Sequence, residues 1–565
     1  MSRKNWILTA VILASGTVFL DGTVVNVALP QMGKELSRSF LGLLEGQTYV
    51  YYGYLLTLSS FLILAGALSD FFGRRRVFSI GVAGFAITSM LCALAWNMEV
   101  LVAFRLLQGI AGAILIPGSL AILTASFEGE EQGRAFGIWA GASSAVTILG
   151  PAIGGAAVTY ISWRAVFFIN IPLLALAFYA TVKHIDESKD EEAPAHFDWL
   201  GAVVIALALG GVTFGLIRGE VQRWEDSLAF TAIGVGLLAT FAFPFLMRMR
   251  KNPLVPLGLF KSRNFSVTNL STLIIYGALY VTFQYLALFS IGTLGYNGLG
   301  FGLAGIPGSL FLVLFSSKVG ALAGKYGPRA FMAVGPAVMG VGLLWLARVP
   351  SDSTPWQATL DDLSSFVPPT GYLVDVLPAL VVFGIGLTIM VAPLTTALMR
   401  SVEVRHSGLA SAINNAISRV GPQLIGAALF IALSINFYAA MEERVPSLDV
   451  SSPEVREDIS PLNQPQDAPP EIIQAAKESS TEAFHVAMFV SALACLLGAA
   501  VNAVGIRNEQ LVGHDEARRA TEPAEATPRP DRSPASLGTQ VGATGVRGDQ
   551  VVAASRQSPQ SDREV

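Results

Sequence analysis

Apolar runs of close to twenty residues, separated by short polar stretches, fill the chain from Trp6 to Gly505. A helix crosses the hydrocarbon core of a bilayer with about 20 mostly apolar residues. On that rule the pattern predicts about 14 spans. The first six are Trp6–Leu29, Thr48–Leu68, Val77–Trp96, Val100–Ile122, Arg134–Thr159 and Trp163–Val182. Asp198–Ile217 and Leu228–Met247 follow as a pair. The last six are Ser266–Ser290, Leu299–Lys318, Ala330–Ala347, Leu373–Leu398, Gly408–Leu433 and Ala483–Gly505. The stretch 436–481, with six prolines and an acidic excess, reads as a loop on one side. Within it Pro469 and Pro470 predict a helix start, so that 471–480 runs helical into the last span.

A repeat relates the two ends of this pattern. Gly66-Ala-Leu-Ser-Asp70-Phe-Phe-Gly73-Arg74 recurs as Gly320-Ala-Leu-Ala-Gly324-Lys-Tyr-Gly327-Pro-Arg329. Leu149-Gly150-Pro151-Ala-Ile-Gly154 recurs as Val420-Gly421-Pro422-Gln-Leu-Ile-Gly426. Two related halves around a central path mark a secondary transporter. The expected organisation is therefore all-α: a six-helix bundle over 1–182, a linker with two inserted spans over 183–262, and a second six-helix bundle over 263–505. Residues 506–565, rich in Pro, Ala, Ser, Thr and Arg, read as a disordered tail.

Composition supports lipid as the solvent. Of 565 residues, 52% are hydrophobic and 14% charged, too apolar for one water-soluble core. The net charge of −4 gives no reason to expect a nucleic-acid partner. Most of the 37 basic residues, including Arg74, Arg75, Arg76, Arg248, Arg250, Lys251, Lys261 and Arg263, fall on one side if both termini are cytoplasmic. Cys92 and Cys495 read as buried thiols, and no metal-type spacing of Cys and His occurs. A phosphate-binding loop is absent as well, so no cofactor is expected and an ion gradient becomes the expected energy source. Nothing in the pattern suggests an enzyme.

Three charges lie inside apolar spans. Asp21 is about 13 Å and Arg105 about 10 Å from the same end of their spans, which leaves a switchable pair open. An ionised carboxylate in lipid costs a few kcal/mol and tends to neutralise by taking a proton, as proton coupling requires. Arg419, about 18 Å from the other end of its span, has no acid at its depth in the second half. It is expected to meet carbonyls, water or an anionic part of a substrate. Asp70, at a helix C-terminus where the dipole disfavours it, is expected to bond a neighbouring helix N-terminus or an arginine and to hold one state closed. Asn26, Gln108, Gln284, Asn414 and Asn415 are the polar candidates for the path, with Tyr276, Tyr280, Phe283 and Tyr285 nearby. His485 is a weaker proton candidate.

These residues carry a resemblance. Gly66–Arg76 is similar to the signature between the second and third spans of the major facilitator superfamily. Arg105-Leu-Leu-Gln108-Gly109-Ile-Ala-Gly112 resembles its fourth-span motif, and Gly150-Pro151-Ala-Ile-Gly154-Gly155 the fifth-span motif of its antiporters. Leu20-Asp21-Gly-Thr23-Val-Val-Asn26-Val-Ala-Leu-Pro30 resembles the first-span motif of its drug:proton antiporters with fourteen spans. Trp163-Arg164 and Phe168-Ile-Asn170-Ile-Pro172 extend the likeness, which covers nearly every span to Gly505. Phe71 and Gly324 depart from it, where a basic and an acidic residue are usual. The resemblance implies a monomeric multi-pass protein of the cell (inner) membrane that exports small amphipathic or cationic molecules by alternating access, driven by protons. Asp21 and Arg105 would couple the proton. Gly66, Asp70, Gly73, Arg74, Arg75, Gly150, Pro151, Gly154 and Gly155 would gate. Rival readings are a metabolite or lipid carrier of the same fold, and a receptor or scaffold without transport.

Overall fold

The computed structural model describes residues 2–508 except 128, 189–197, 223, 403–406 and 466–467. Some side chains within helices, Asp70, Phe71 and most of those from 129 to 148 among them, also lie outside the description. Most of the expected tail falls beyond it too. Twelve helices among the described residues are long and apolar enough to cross a membrane. Two further long helices, at Leu43–Phe72 and Gly129–Tyr160, occupy the second and fifth expected spans.

We number these fourteen helices in order. The first six are α1 (Arg3–Glu35), α2 (Leu43–Phe72), α3 (Arg74–Ala93), α4 (Met98–Ser126), α5 (Gly129–Tyr160) and α6 (Ala165–His184). The pair is α7 (Trp199–Val221) and α8 (Ser227–Met249). Then come α9 (Arg263–Leu294), α10 (Gly298–Ala304 continuing as Ile306–Tyr326), α11 (Arg329–Leu346), α12 (Tyr372–Leu398), α13 (Ser407–Arg444) and α14 (Pro470–Gly505). Several helices start where polar caps satisfy free N–H groups: Ser2 for α1, Asn97 for α4, Asp226 for α8 and Ser262 for α9.

The loop expected over 436–481 is shorter than that. α13 runs on to Arg444 and α14 begins at Pro470, with a short helix Pro453–Asp458 between them. Arg444 explains the extension: its guanidinium reaches Glu478 and Glu482 on α14, tying the two helices together beyond their apolar parts.

Packing repeats between the halves. In the first, α1 packs on α5 and α6, α2 on α4, and α3 on α4 and α6. In the second, α9 packs on α13 and α14, α10 on α12, and α11 on α12 and α14. The halves meet through α5 against α10 and α2 against α13. α7 lies against α2 and α13 and carries α8 on its other side. On α8, Leu238 and Phe241 are more than 70% exposed, which is stable only against lipid. Arg218 fastens α7 to the first half, bonding the Phe40 carbonyl and the buried Glu45.

Calling the end with residue 2 the terminal face and the opposite end the far face, the tightest contacts between halves lie toward the far face. A Cβ added to Gly155 on α5 would collide with the Gly298 carbonyl on α10, and one on Gly302 with Pro151 and Ala152. The Thr159 hydroxyl accepts a hydrogen bond from the Leu299 N–H there.

The two copies of the Gly66 motif share a backbone turn. Gly73 has φ +106° and Gly327 φ +86°, which side chains rarely adopt. Each is covered by the segment that follows the last helix of its half. Glu187 lies over Gly73, and its carboxylate accepts from the Arg75 and Arg76 N–H groups at the start of α3. Asn508 lies over Gly327 and accepts from the Arg329 N–H. Arg3 pairs with Asp186 beside this point, and that hydrogen bond holds the Asp186 carboxyl below its ordinary range. Gly66 differs from Gly73. A Cβ there meets nothing nearer than Pro117 at 3.6 Å, so close helix approach is not its reason for being glycine. Gly73→Ala should therefore cost about 1–3 kcal/mol through strain and collision, while Gly66→Ala stays within about 0.5 kcal/mol of the parent. Thermal unfolding of the two purified variants in detergent measures the difference.

Candidate functional site

The buried charges meet inside the first half. Asp21 on α1 and Arg105 on α4 are both 0% exposed, and Arg105 Nη1 donates to Asp21 Oδ2 at 2.5 Å. Two amides complete the carboxylate's shell: Gln108 Nε2 donates to Asp21 Oδ1 at 3.1 Å and Asn170 Nδ2 at 3.3 Å. Both amides also donate to the Ser89 hydroxyl on α3, at 2.8 and 3.2 Å. Arg105 Nε donates to the Val50 carbonyl of α2, and Nη1 also reaches Gln108 Oε1 at 2.7 Å. The guanidinium lies 4.2 Å from the Tyr54 ring centre and 5.8 Å from that of Phe167. Its Nη2 is buried and makes no hydrogen bond. The cluster thus joins α1, α2, α3, α4 and α6 by polar contacts in an apolar interior, where such contacts are strong and unmet ones costly.

Among the described residues, the first half alone carries such a buried charge pair. Gly150 packs against Leu20 and Thr23, as Gly421 packs against Leu273 and Gly277. That correspondence puts Ile274 and Ile275 where the first half has Asp21.

A cavity of about 230 Å³ lies between the halves. α1 contributes Gly22, Thr23 and Asn26 to its wall, and α5 contributes Pro151. α9, α10 and α12 supply an apolar and aromatic lining that includes Tyr280, Phe283, Phe301 and Phe383. Asp21 is not on this wall. Residues 22, 23 and 26 share one side of α1, and Asp21 points from the other side into the bundle. A single helix separates the charge pair from the cavity.

α5 clasps that helix. A Cβ on Gly150 would strike Thr23, and one on Gly154 would strike Val24. Gly155 and Pro151, on the same helix, touch α10 of the other half. The motif therefore links the helix bearing Asp21 to the seam between the halves.

Of the polar path candidates, only Asn26 lines this cavity. Gln108 sits within the Asp21 cluster instead. Asn414 bonds Asn269 and Thr272 on α9, and Asn415 bonds Ser411 on its own helix. Gln284 is fully buried with neither amide atom paired. Arg419 is 6% exposed, pairs with no carboxylate among the described residues and reaches the Asn415 carbonyl at 3.4 Å. His485 bonds the Val349 carbonyl. Arg75 donates from its side chain to the Val182 carbonyl, and the Arg74 N–H bonds the Ser188 carbonyl. The bond expected of Asp70 lies outside the described residues. The α3 N-terminus has Glu187 as a partner, which no spacing pattern could reveal across more than a hundred residues. Ser89 was equally silent in the sequence. Asn170, the one amide in α6, was the legible signal for a third partner of Asp21.

Residues 11–427 match the Major Facilitator Superfamily. The chain belongs to this superfamily. It is 30% identical over 455 residues to the multidrug resistance protein Stp of Mycobacterium tuberculosis, covering 79% of this chain and 80% of that protein. It is 31% identical to the methylenomycin A resistance protein of Bacillus subtilis, over 78% of this chain and 90% of that one. The tetracenomycin C resistance and export protein of Streptomyces glaucescens is 30% identical over 76% and 75%. Among solved structures, a bacterial homologue of the human lysosomal transporter Spinster superposes with a TM-score of 0.58 at 15% identity, covering 91% of this chain and 98% of that one. The peptide-transporter-family protein PepTSo gives 0.57 at 13%, over 92% and 99%. At these identities the fold is what is shared. As a superfamily member the chain is a multi-pass membrane transporter of small molecules.

Each single substitution leaves one buried charge without its partner. After Asp21→Asn, Arg105 keeps the Val50 carbonyl, the Gln108 oxygen and two ring faces but loses its carboxylate. After Arg105→Ala, the Asp21 carboxylate keeps only the Gln108 and Asn170 amides. Either substitution should cost about 3–5 kcal/mol. Thermal unfolding in detergent measures both; a cost below about 1 kcal/mol for either contradicts this account of the cluster.

Proposed function

We propose that the chain is a proton-coupled drug efflux transporter that exports small amphipathic compounds by alternating access. The observation that carries this reading is the Asp21–Arg105 pair, fully buried behind the one helix whose other side lines the cavity. Relatives named for resistance to several chemically unlike drugs support a broad cargo. An apolar, aromatic wall with few polar groups suits such cargo, because it binds by burial and ring contact and demands little of a particular hydrogen-bonding pattern.

The coupling follows from the pair's chemistry. Ionised, Asp21 is held by Arg105 and two amides. A proton on Asp21 removes the charge that keeps Arg105 in place, and the guanidinium then turns to the Val50 carbonyl, the Gln108 oxygen and the rings. α1 shifts with that exchange, and its opposite side is the cavity wall. Cargo pressing on Gly22, Thr23 and Asn26 acts on the same helix from the other side. Proton and cargo thus compete through one element, which links their opposed movements. The proton gradient supplies the energy, both termini lie in the cytoplasm, and the monomer is the working unit in the cell membrane.

Uptake of ethidium into inverted vesicles, with and without an imposed pH difference, tests the coupling. The parent chain should accumulate the dye only with the gradient. Asp21→Asn, at equal protein level, should lose gradient-driven accumulation and keep downhill exchange. Full pH-driven accumulation by that variant rules out Asp21 as the coupling group, and gradient-independent uptake by the parent favours a facilitative carrier. Orientation is tested separately. A Gln464→Cys variant should react with an impermeant maleimide in intact cells, and reaction only after lysis reverses the topology.

A further inference from the structure

The loop between α13 and α14 does more than connect them. It is fixed to the second half along its length. The Tyr438 hydroxyl donates to the Ile459 carbonyl, Arg456 lies 4.1 Å over the Tyr438 ring, and the Leu462 N–H donates to the Ser480 hydroxyl of α14. Leu462 is fully buried with φ +60°, a conformation that a leucine holds only when its surroundings impose it. Its carbonyl presses on Gly292, in the widened last turn of α9, where any Cβ would collide.

The next residue crosses to the other half. Gln47 Nε2 on α2 donates to Asn463 Oδ1 at 3.0 Å, and Asn463 Nδ2 donates back to Gln47 Oε1 at 3.1 Å. Gln47 also donates to the Leu29 carbonyl of α1. Both amides are buried, Gln47 completely and Asn463 to 8% exposure. The pair is reciprocal, with each amide giving and taking one hydrogen bond. A small cavity of about 40 Å³ beside it is walled by both halves, with Leu44 on one side and Ser460 and Pro461 on the other.

We propose that Ser460–Asn463 is a latch on the far mouth of the transport path, closed by the Gln47–Asn463 amide pair and released once in each transport cycle. The proposal rests on alternating access, and neither on proton coupling nor on the identity of the cargo. For the far mouth to open, α2 must part from the second half, and this pair spans that gap. Neutral amides suit the task. Buried, they satisfy each other; opened, water replaces each lost bond, whereas an ion pair there would carry a large charge-transfer penalty into or out of the interior. The left-handed Leu462 turn aims Asn463 across the gap and fixes when the two amides are in register.

The test uses the full chain purified in detergent, with Leu44→Cys as a reporter labelled by a maleimide dye. The native thiols are buried. Gln47→Ala and Asn463→Ala should each raise the labelling rate about fivefold or more, since each removes both reciprocal hydrogen bonds. The double variant should label no faster than either. The swapped pair, Gln47→Asn with Asn463→Gln, should bring the rate back toward the parent. A second reporter at the terminal face, Ala410→Cys, should not speed up in any of them. Unchanged rates in both single variants overturn the latch. So do increases that multiply in the double variant, or an equal rise at Ala410→Cys, which would show general loosening.

Discussion

A carboxylate inside an apolar span must either be paired or take a proton, and the coupling proposed above uses both answers at one side chain. Asp21 is paired with Arg105 at 2.5 Å and fully buried. Removing either charge alone is expensive in such surroundings, and a well-packed apolar pair would hold the bundle at least as well. The pair is therefore poor scaffolding. Under the proposed coupling its value lies in two arrangements, the observed one with the guanidinium on the carboxylate and a second with a proton there. The amides of Gln108 and Asn170, anchored together on Ser89, keep the carboxylate in place for either arrangement.

The remainder of the molecule places that pair beside the cavity and the seam between the halves. α1 carries the charge on one side and the cavity wall on the other. α5 grips α1 through Gly150 and Gly154, and meets the opposite half through Gly155 and Pro151. The α1 shift proposed above would thus act through α5 on the seam toward the far end. Glu187 and Asp186 fasten the terminal end of the first half by capping α3 and pairing with Arg3. Asn508 performs the corresponding capping for the second half.

The fold was legible because lipid imposes a simple rule on sequence: each crossing needs an apolar run, and each run was visible. All fourteen spans have helices, and the helix start at Pro470 was readable from its prolines. The start of the loop was misread because α13 runs on to Arg444, where ion pairs to Glu478 and Glu482 hold it against α14, which a hydropathy pattern does not register. Within the site, Asp21 and Arg105 stood out as charges in apolar runs, and their similar depth left a pair open, which the structure shows as a direct contact. Gln108 was assigned to the path and belongs to the charge cluster instead. An amide in a span can face either way, and helix rotation is set by packing. Glu187 and the aromatic wall from α10 and α12 were invisible for a related reason, since they act across large sequence separations.

The account requires that cargo and proton act on the same pair, and this can be read without a membrane. Purified chain in weakly buffered detergent, given saturating ethidium, should release protons as the dye binds, with the release reported by a pH-sensitive indicator. Asp21→Asn, shown to bind the dye by fluorescence, should release none. Proton release of parental size from Asp21→Asn would contradict the central claim and place the coupling elsewhere in the molecule.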